Sequence, residues 1–280
     1  MARQVTALRR AQATSDGAGV AIQRVAGFGD AALDPLLMVD ELRSEHREDF
    51  AAGFPPHPHR GMQTLTYMKH GGIAHEDSQG NRGEIRGGGL QWMSAGRGII
   101  HSEMPTQDSA GLHGFQLWVN LPAAEKLAAP RYRDIEGAAL PRLSGDGFEA
   151  ALLAGEWRLG SAAGSGALEE LTPQAALADL TLDPGATVAV ASEAGENLVA
   201  YLYEGALAGA GPGGVSRGHL LVVAGDGDWT VEAGPAGAGL LVLRGRPLRE
   251  PVVHYGPFVM NTREEIEQAL AEYRDGTFLG

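Results

Sequence analysis

The chain has 280 residues, with 22 Lys and Arg against 35 Asp and Glu, a formal balance of −13, and no cysteine. An acidic surface of that kind repels phosphate backbones, so no direct nucleic-acid binding is expected. The lack of cysteine excludes disulfides, zinc ribbons, thiolate catalysis and iron–sulfur ligation, so any metal must be held by His, Asp or Glu. No run approaches the roughly 20 apolar residues that cross a bilayer. The basic start, Met1-Ala-Arg-Gln-Val-Thr-Ala-Leu-Arg-Arg10, has no apolar signal core, so the expectation is a cytoplasmic protein with no membrane partner.

Hydrophobic residues make up 44%, and 41 glycines and 15 prolines are spread along the chain, a pattern of short strands and frequent turns. Leu36–Val39 reads as a short buried strand. Met62–Met68, rich in β-branched and aromatic residues, stops at His70-Gly71-Gly72. Strands are also expected at Gly83–Arg86, Leu90–Ser94 and the alternating Gly114–Asn120. Residues 123–144 turn to alanine, charge and proline and read as a connector with a helical turn at Ala123–Leu127. Ala178, Leu180 and Leu182 then alternate with polar residues up to the turn Asp183-Pro184-Gly185. Leu198–Tyr203, Leu220–Ala224 and Leu240–Leu243 continue the series. Only the end reads as helix: Thr262-Arg-Glu-Glu265 is a capping box, followed by Ile266, Leu270 and Tyr273 at helical spacing.

The halves also resemble each other. Tyr67-Met-Lys-His-Gly71 lines up with Tyr201-Leu-Tyr-Glu-Gly205, and Ser94-Ala-Gly96 with Glu232-Ala-Gly234. The fold class is therefore all-β with a duplicated barrel. The implied division is 1–122 for the first barrel, 123–144 for the connector, 145–258 for the second barrel and 259–280 for the helix and tail.

Two tripeptides carry the chemistry: His57-Pro58-His59 and His101-Ser102-Glu103. Residues i and i+2 of a strand share a face, so each would aim two ligands into one barrel interior. Taken singly, each also fits a surface turn; together, beside glycine-rich turns in a β chain, they point to a metal. Three imidazoles and a carboxylate suit a borderline divalent transition metal and leave positions open for substrate. His46, His70, His75, His113, His219 and His254 read as structural or solvated, and His75-Glu76-Asp77 as a polar loop.

The run Gly53-Phe-Pro-Pro-His57-Pro-His59-Arg-Gly61 resembles the signature of the pirin family in the cupin superfamily. So do Ala74-His-Glu-Asp77, Leu90-Gln-Trp-Met93, Ala95-Gly-Arg-Gly98 and Leu117-Trp-Val-Asn120, and Arg249–Asn261 is similar to the family's closing motif. The resemblance implies a bicupin: two stacked antiparallel β-barrels of jelly-roll type with a short C-terminal helix. It also implies one metal in the amino-terminal barrel, Fe(II) first, with Mn, Ni, Cu or Zn also accommodated, held by His57, His59, His101 and Glu103. Shifted by the repeat, those ligands fall on Ala191, Glu193, Gly239 and Leu241, so the second barrel is expected to lack them.

Two functions follow from the resemblance. One is a quercetin 2,3-dioxygenase-type oxidoreductase acting on a flavonol or similar aromatic with O2. The other is a non-enzymatic metal- or redox-dependent regulator that docks on a protein partner. For the enzyme, Phe54, Arg60, Met62, Phe115, Gln116 and Trp118 are candidates for the substrate pocket. Gln63 stands where the family usually carries a glutamate base, and an amide cannot take up a proton at ordinary pH.

Overall fold

The computed structural model describes residues 2–171, 175–209 and 214–280; Met1, the first residue of the basic start, lies outside them. The chain forms β1 (Gln4–Arg10), β2 (Gln12–Asp16), β3 (Val20–Ala26), β4 (Leu36–Ser44), β5 (Phe54–His59), β6 (Met62–His70), β7 (Gly72–Asp77) and β8 (Arg82–Arg86). It continues through β9 (Leu90–Ser94), β10 (Ile99–Pro105), β11 (Leu112–Asn120), β12 (Arg131–Ile135), β13 (Arg142–Gly145), β14 (Phe148–Ala154), β15 (Glu156–Leu159) and β16 (Ala162–Ser165). Then come β17 (Ala176–Leu182), β18 (Thr187–Val190), β19 (Asn197–Leu207), β20 (Val215–Ser216), β21 (His219–Ala224) and β22 (Trp229–Gly245). β23 (Val253–Tyr255), β24 (Phe258–Met260) and α1 (Arg263–Asp275) close the chain.

Two compact units result. One comprises Met1–Ala11, Ala31–Pro35 and Ala139–Pro247; the other comprises Gln12–Asp30, Leu36–Ala138 and Leu248–Gly280. The ends of the chain are thus distributed differently from the linear division expected above. β1 pairs antiparallel with β21, covering an edge of the sheet built by residues of the second half. The closing segment, with β23, β24 and α1, belongs instead to the unit built from first-half strands. The expected connector also contains a strand: β12 pairs with β9 and fills the edge of a sheet. Its sequence, Arg131-Tyr-Arg-Asp-Ile135, hides this because three of its five residues are charged and only Ile135 is fully buried.

The second of these units carries a seven-stranded sheet, in order β12-β9-β6-β11-β4-β3-β2, and a four-stranded sheet, in order β5-β10-β7-β8. β6 sits centrally between β9 and β11, so Met62–Met68 is buried throughout rather than on alternate residues. Gly61 separates β5 from β6 at φ 79°, and a Cβ there would strike the Val259 carbonyl, so only glycine fits the turn. The helix forms as its sequence predicts. Thr262 and Glu265 complete the capping box, Gly276 ends the helix in the left-handed conformation, and Ile266 and Ala269 pack with Phe258, Met260 and Phe278.

The other unit repeats the topology, and the registers align the two. Tyr67 pairs with Leu90 and Phe115 while Tyr201 pairs with Leu220 and Leu241, so the first sequence match holds. The second match does not. Ser94 ends β9, whose counterpart β21 ends at Ala224, whereas Glu232–Gly234 lies inside β22. On the β10–β5 ladder His101 faces His57 and Ile99 faces His59; on the β22–β18 ladder Val231 faces Val188 and Trp229 faces Val190. The counterparts of the four proposed ligands are therefore Val188, Val190, Val231 and Ala233, not Ala191, Glu193, Gly239 and Leu241. All four are buried in one apolar core.

Candidate metal centre

β5 and β10 lie side by side and antiparallel, and this brings the two histidine-bearing tripeptides together. His57, His59 and His101 offer nitrogen atoms that all lie within 4.8 Å of one another. The Nε2 atoms of His57 and His59 are 3.0 Å apart. That is close enough for one ion to be shared by both rings. His57 Nδ1 lies 2.8 Å from the Pro55 carbonyl, a contact that requires the proton on Nδ1 and leaves Nε2 with its lone pair. His101 Nε2 is buried with no hydrogen-bond partner. A buried, unpaired imidazole nitrogen costs free energy, and an ion at the centre of the three rings removes that cost for His101. The donor set therefore fits a divalent transition metal.

Burial, followed by the charge that neighbouring imidazoles would add, pushes His59 and His101 well below the usual histidine range. Both rings are therefore neutral near pH 7, the form that binds metal.

Glu103 follows His101 by two residues on β10 and is buried on the same face. Its carboxylate accepts hydrogen bonds from Thr66 Oγ1 at 2.8 Å and Gln116 Nε2 at 2.6 Å. It is not one of the three groups whose ligand atoms are gathered. The structure thus assembles three of the four expected ligands and holds the fourth beside them on two donors.

Behind His101 lies a pair expected from the sequence in a polar loop. His75 and Asp77 belong to β7, which pairs with β10, and both are buried while Glu76 between them is exposed. Adjacent residues do face opposite ways, but His75 and Asp77 are two apart and face the same way. His101 Nδ1 and His75 Nδ1 are 3.3 Å apart, and His75 Nε2 lies 3.3 Å from Asp77 Oδ2.

A cavity of about 610 Å³ adjoins His57. Of the six pocket candidates, Phe54, Gln116 and Trp118 line it. The other three do not. Arg60 pairs with Glu272 at 2.6 Å and lies over the Phe278 ring, holding the C-terminal segment. Met62 is enclosed in a core with Leu37, Met93 and Ile99, and Phe115 is buried against Tyr67 on the opposite face of β11 from Gln116 and Trp118. The sequence reading missed Phe28 and His254, whose rings stack at 4.0 Å on the cavity wall, and Arg24, which is paired with Asp40. Nothing local marks them, because the wall combines residues from distant parts of the chain.

Gln63 corrects the expectation most clearly. On β6 the even-numbered Thr66 reaches Glu103, and Thr64 and Thr66 pair with Trp118 and Gln116 of the cavity wall. Gln63 lies on the other face, wholly buried, where its Oε1 accepts the indole N–H of Trp92 at 2.8 Å. Strand alternation removes it from the position of a base over the metal.

The family profile described as Pirin matches residues 19–119, and that described as Pirin C-terminal cupin domain matches residues 177–279. A Pseudomonas aeruginosa protein named "Putative quercetin 2,3-dioxygenase" is 46% identical over 278 residues, covering 98% of this chain and 97% of its own. Human pirin is 38% identical over 280 residues, covering 98% and 93% respectively. The crystal structure of a quercetin 2,3-dioxygenase from Acinetobacter baumannii superposes with a TM-score of 0.89 at 28% identity, covering 99% of both chains. The two profiles, the full-length relatives and the paired cupin folds agree, and the chain belongs to the pirin family.

Proposed function

We propose that this protein is a mononuclear metal-dependent dioxygenase of the quercetin 2,3-dioxygenase type, acting on a flavonol or a similar aromatic with adjacent oxygens. The observation that carries the reading is the three-histidine cluster with one member, His57, on the wall of an apolar-lined cavity of about 610 Å³. A docking role has no need of such a cavity, whereas a substrate does. The names of the similar bacterial proteins support the same class.

His57, His59 and His101 would hold the ion, with Glu103 as the fourth group on the same face of β10. A bound transition metal, Fe(II) foremost, supplies Lewis-acid polarisation of a substrate oxygen and the redox capacity that reaction with O2 requires. The chain's own residues do the rest. Phe54 and Trp118 offer apolar and aromatic surface to a flat ring system, and Gln116 offers a polar anchor beside it. Glu103 is the carboxylate closest in sequence and face to the ligands, and it replaces Gln63 as the candidate acceptor for a substrate hydroxyl proton. Thr66 and Gln116 orient it for that task.

The test is oxygen uptake by iron-loaded protein over a panel of flavonols. Uptake matched by ring-cleaved product supports the proposal. Stoichiometric metal binding without uptake on any member of the panel would contradict it and favour the docking role.

A further inference from the structure

We propose that His75 and Asp77 are positioning residues that lock His101 into the one tautomer able to bind metal. The inference rests on the metal reading above, but it is drawn from hydrogen-bond accounting that involves no ion.

Two imidazole nitrogens 3.3 Å apart, His101 Nδ1 and His75 Nδ1, must be one donor and one acceptor. If the proton sits on His101 Nδ1, it points at His75, and His101 Nε2 keeps its lone pair towards His57 and His59. His75, accepting on Nδ1, then carries its own proton on Nε2, 3.3 Å from Asp77 Oδ2, which accepts it. Every donor meets an acceptor. The reverse assignment fails at both ends. It buries a His101 Nε2–H that has no partner, and it sets the His75 Nε2 lone pair against a carboxylate oxygen.

The relay is anchored from behind. Asp77 Oδ1 accepts the backbone N–H groups of Gln79 at 2.9 Å and Asn81 at 3.0 Å, and Oδ2 accepts the Asn81 amide at 2.8 Å. Tyr132 of β12 stacks on His75 with ring centroids 4.5 Å apart, and its hydroxyl donates to Asp134 at 2.7 Å. The carboxylate end of the chain is therefore fixed, the middle ring is clamped, and the ligand ring has one orientation. An anionic carboxylate behind a ligating imidazole also makes that imidazole a better donor to metal. β12, which the sequence hid in a connector, thus supports the site through Tyr132.

The experiment has two arms. Nitrogen-15 NMR of the imidazoles in metal-free wild type should show His101 protonated on Nδ1 and His75 on Nε2. Co(II) titration against a competing chelator should show His75→Phe losing about 10–100-fold in affinity, the range usual for removing such a partner. His75→Asn, whose side-chain carbonyl falls near the Nδ1 position and keeps an acceptor for the His101 proton, should recover most of that loss. Asp77→Asn should fall between, with a shifted visible band of the bound Co(II). A His101 protonated on Nε2, a doubly protonated His75, or variants with wild-type affinity and an unchanged band would overturn the proposal. If His75→Phe does not fold, the tautomers of wild type and the two milder variants decide. Failure of wild type itself to bind Co(II) would sink the metal reading, while the NMR arm would still judge the relay.

Discussion

The amide of Gln116 donates a 2.6 Å hydrogen bond to the carboxylate of Glu103, and the same side chain lines the cavity beside His57. One residue on β11 therefore connects the metal-side carboxylate to the space where a substrate would lie. Gln116→Leu keeps the bulk but removes the donor, leaving a buried carboxylate oxygen without that partner. Hydrogen bonds to charged groups contribute about 1.5–3 kcal/mol, so urea unfolding of the metal-free variant should show a loss of that order. Turnover should fall with it, and addition of more metal should not restore the rate.

Gln63→Glu should not create a catalytic base. Gln63 lies against Trp92 on the far face of β6, and a carboxylate placed there enters a fully buried site. The expected outcome is an unchanged pH profile of oxygen uptake with a stability loss of about 1–3 kcal/mol. A rate that rises severalfold and a profile that shifts to lower pH would place Gln63 at the reacting centre after all.

The pH dependence of the metal-free fold follows from the two buried rings. His59 and His101 titrate well below the usual histidine value in the folded state because burial disfavours their charged forms. The unfolded chain binds those protons first, near its unperturbed value of about 6.5. Their contribution to stability is thus fully present above that pH and is lost as pH falls below it, towards the lowered folded values. Melting temperatures of apo protein should be level from pH 7 to 8 and drop from about pH 6.5 downwards. His101→Phe should flatten the drop.

Arg60→Ala should loosen the C-terminal segment and spare the site. Its guanidinium pairs with Glu272 of α1, lies 4.4 Å from the Phe278 ring centroid and donates to backbone carbonyls. The loss should amount to roughly 1–3 kcal/mol and appear as faster proteolysis near the end of the chain. Metal content per folded chain should stay at the wild-type level.

Much of this was legible in the sequence, and the reasons for the rest are specific. His57-Pro-His59 and His101-Ser-Glu103 each place their pair on one face by the two-residue period, and adjacency of β5 and β10 does the joining. The helix was readable from its capping box and spacing. Positions that depend on strand register were not readable. Gln63 and Thr64 are neighbours in sequence, yet one meets the Trp92 indole and the other pairs with Trp118 of the cavity wall. The second of the two repeat matches failed for the same reason, because Ser94-Ala-Gly96 and Glu232-Ala-Gly234 share letters but not places in their ladders. Non-local elements were hidden altogether: β12, the Phe28–His254 stack and the exchange of chain ends all depend on partners far away in sequence.

Among the described residues, one metal ion per chain is expected, held by His57, His59 and His101. The most direct measurement is elemental analysis of wild type and His101→Ala after loading with iron under anaerobic conditions and removal of free metal. One equivalent is expected in wild type, since Val188, Val190, Val231 and Ala233 occupy the matching positions of the other unit, with a near-complete loss in the variant. Two equivalents in wild type, or full retention by His101→Ala, would contradict it.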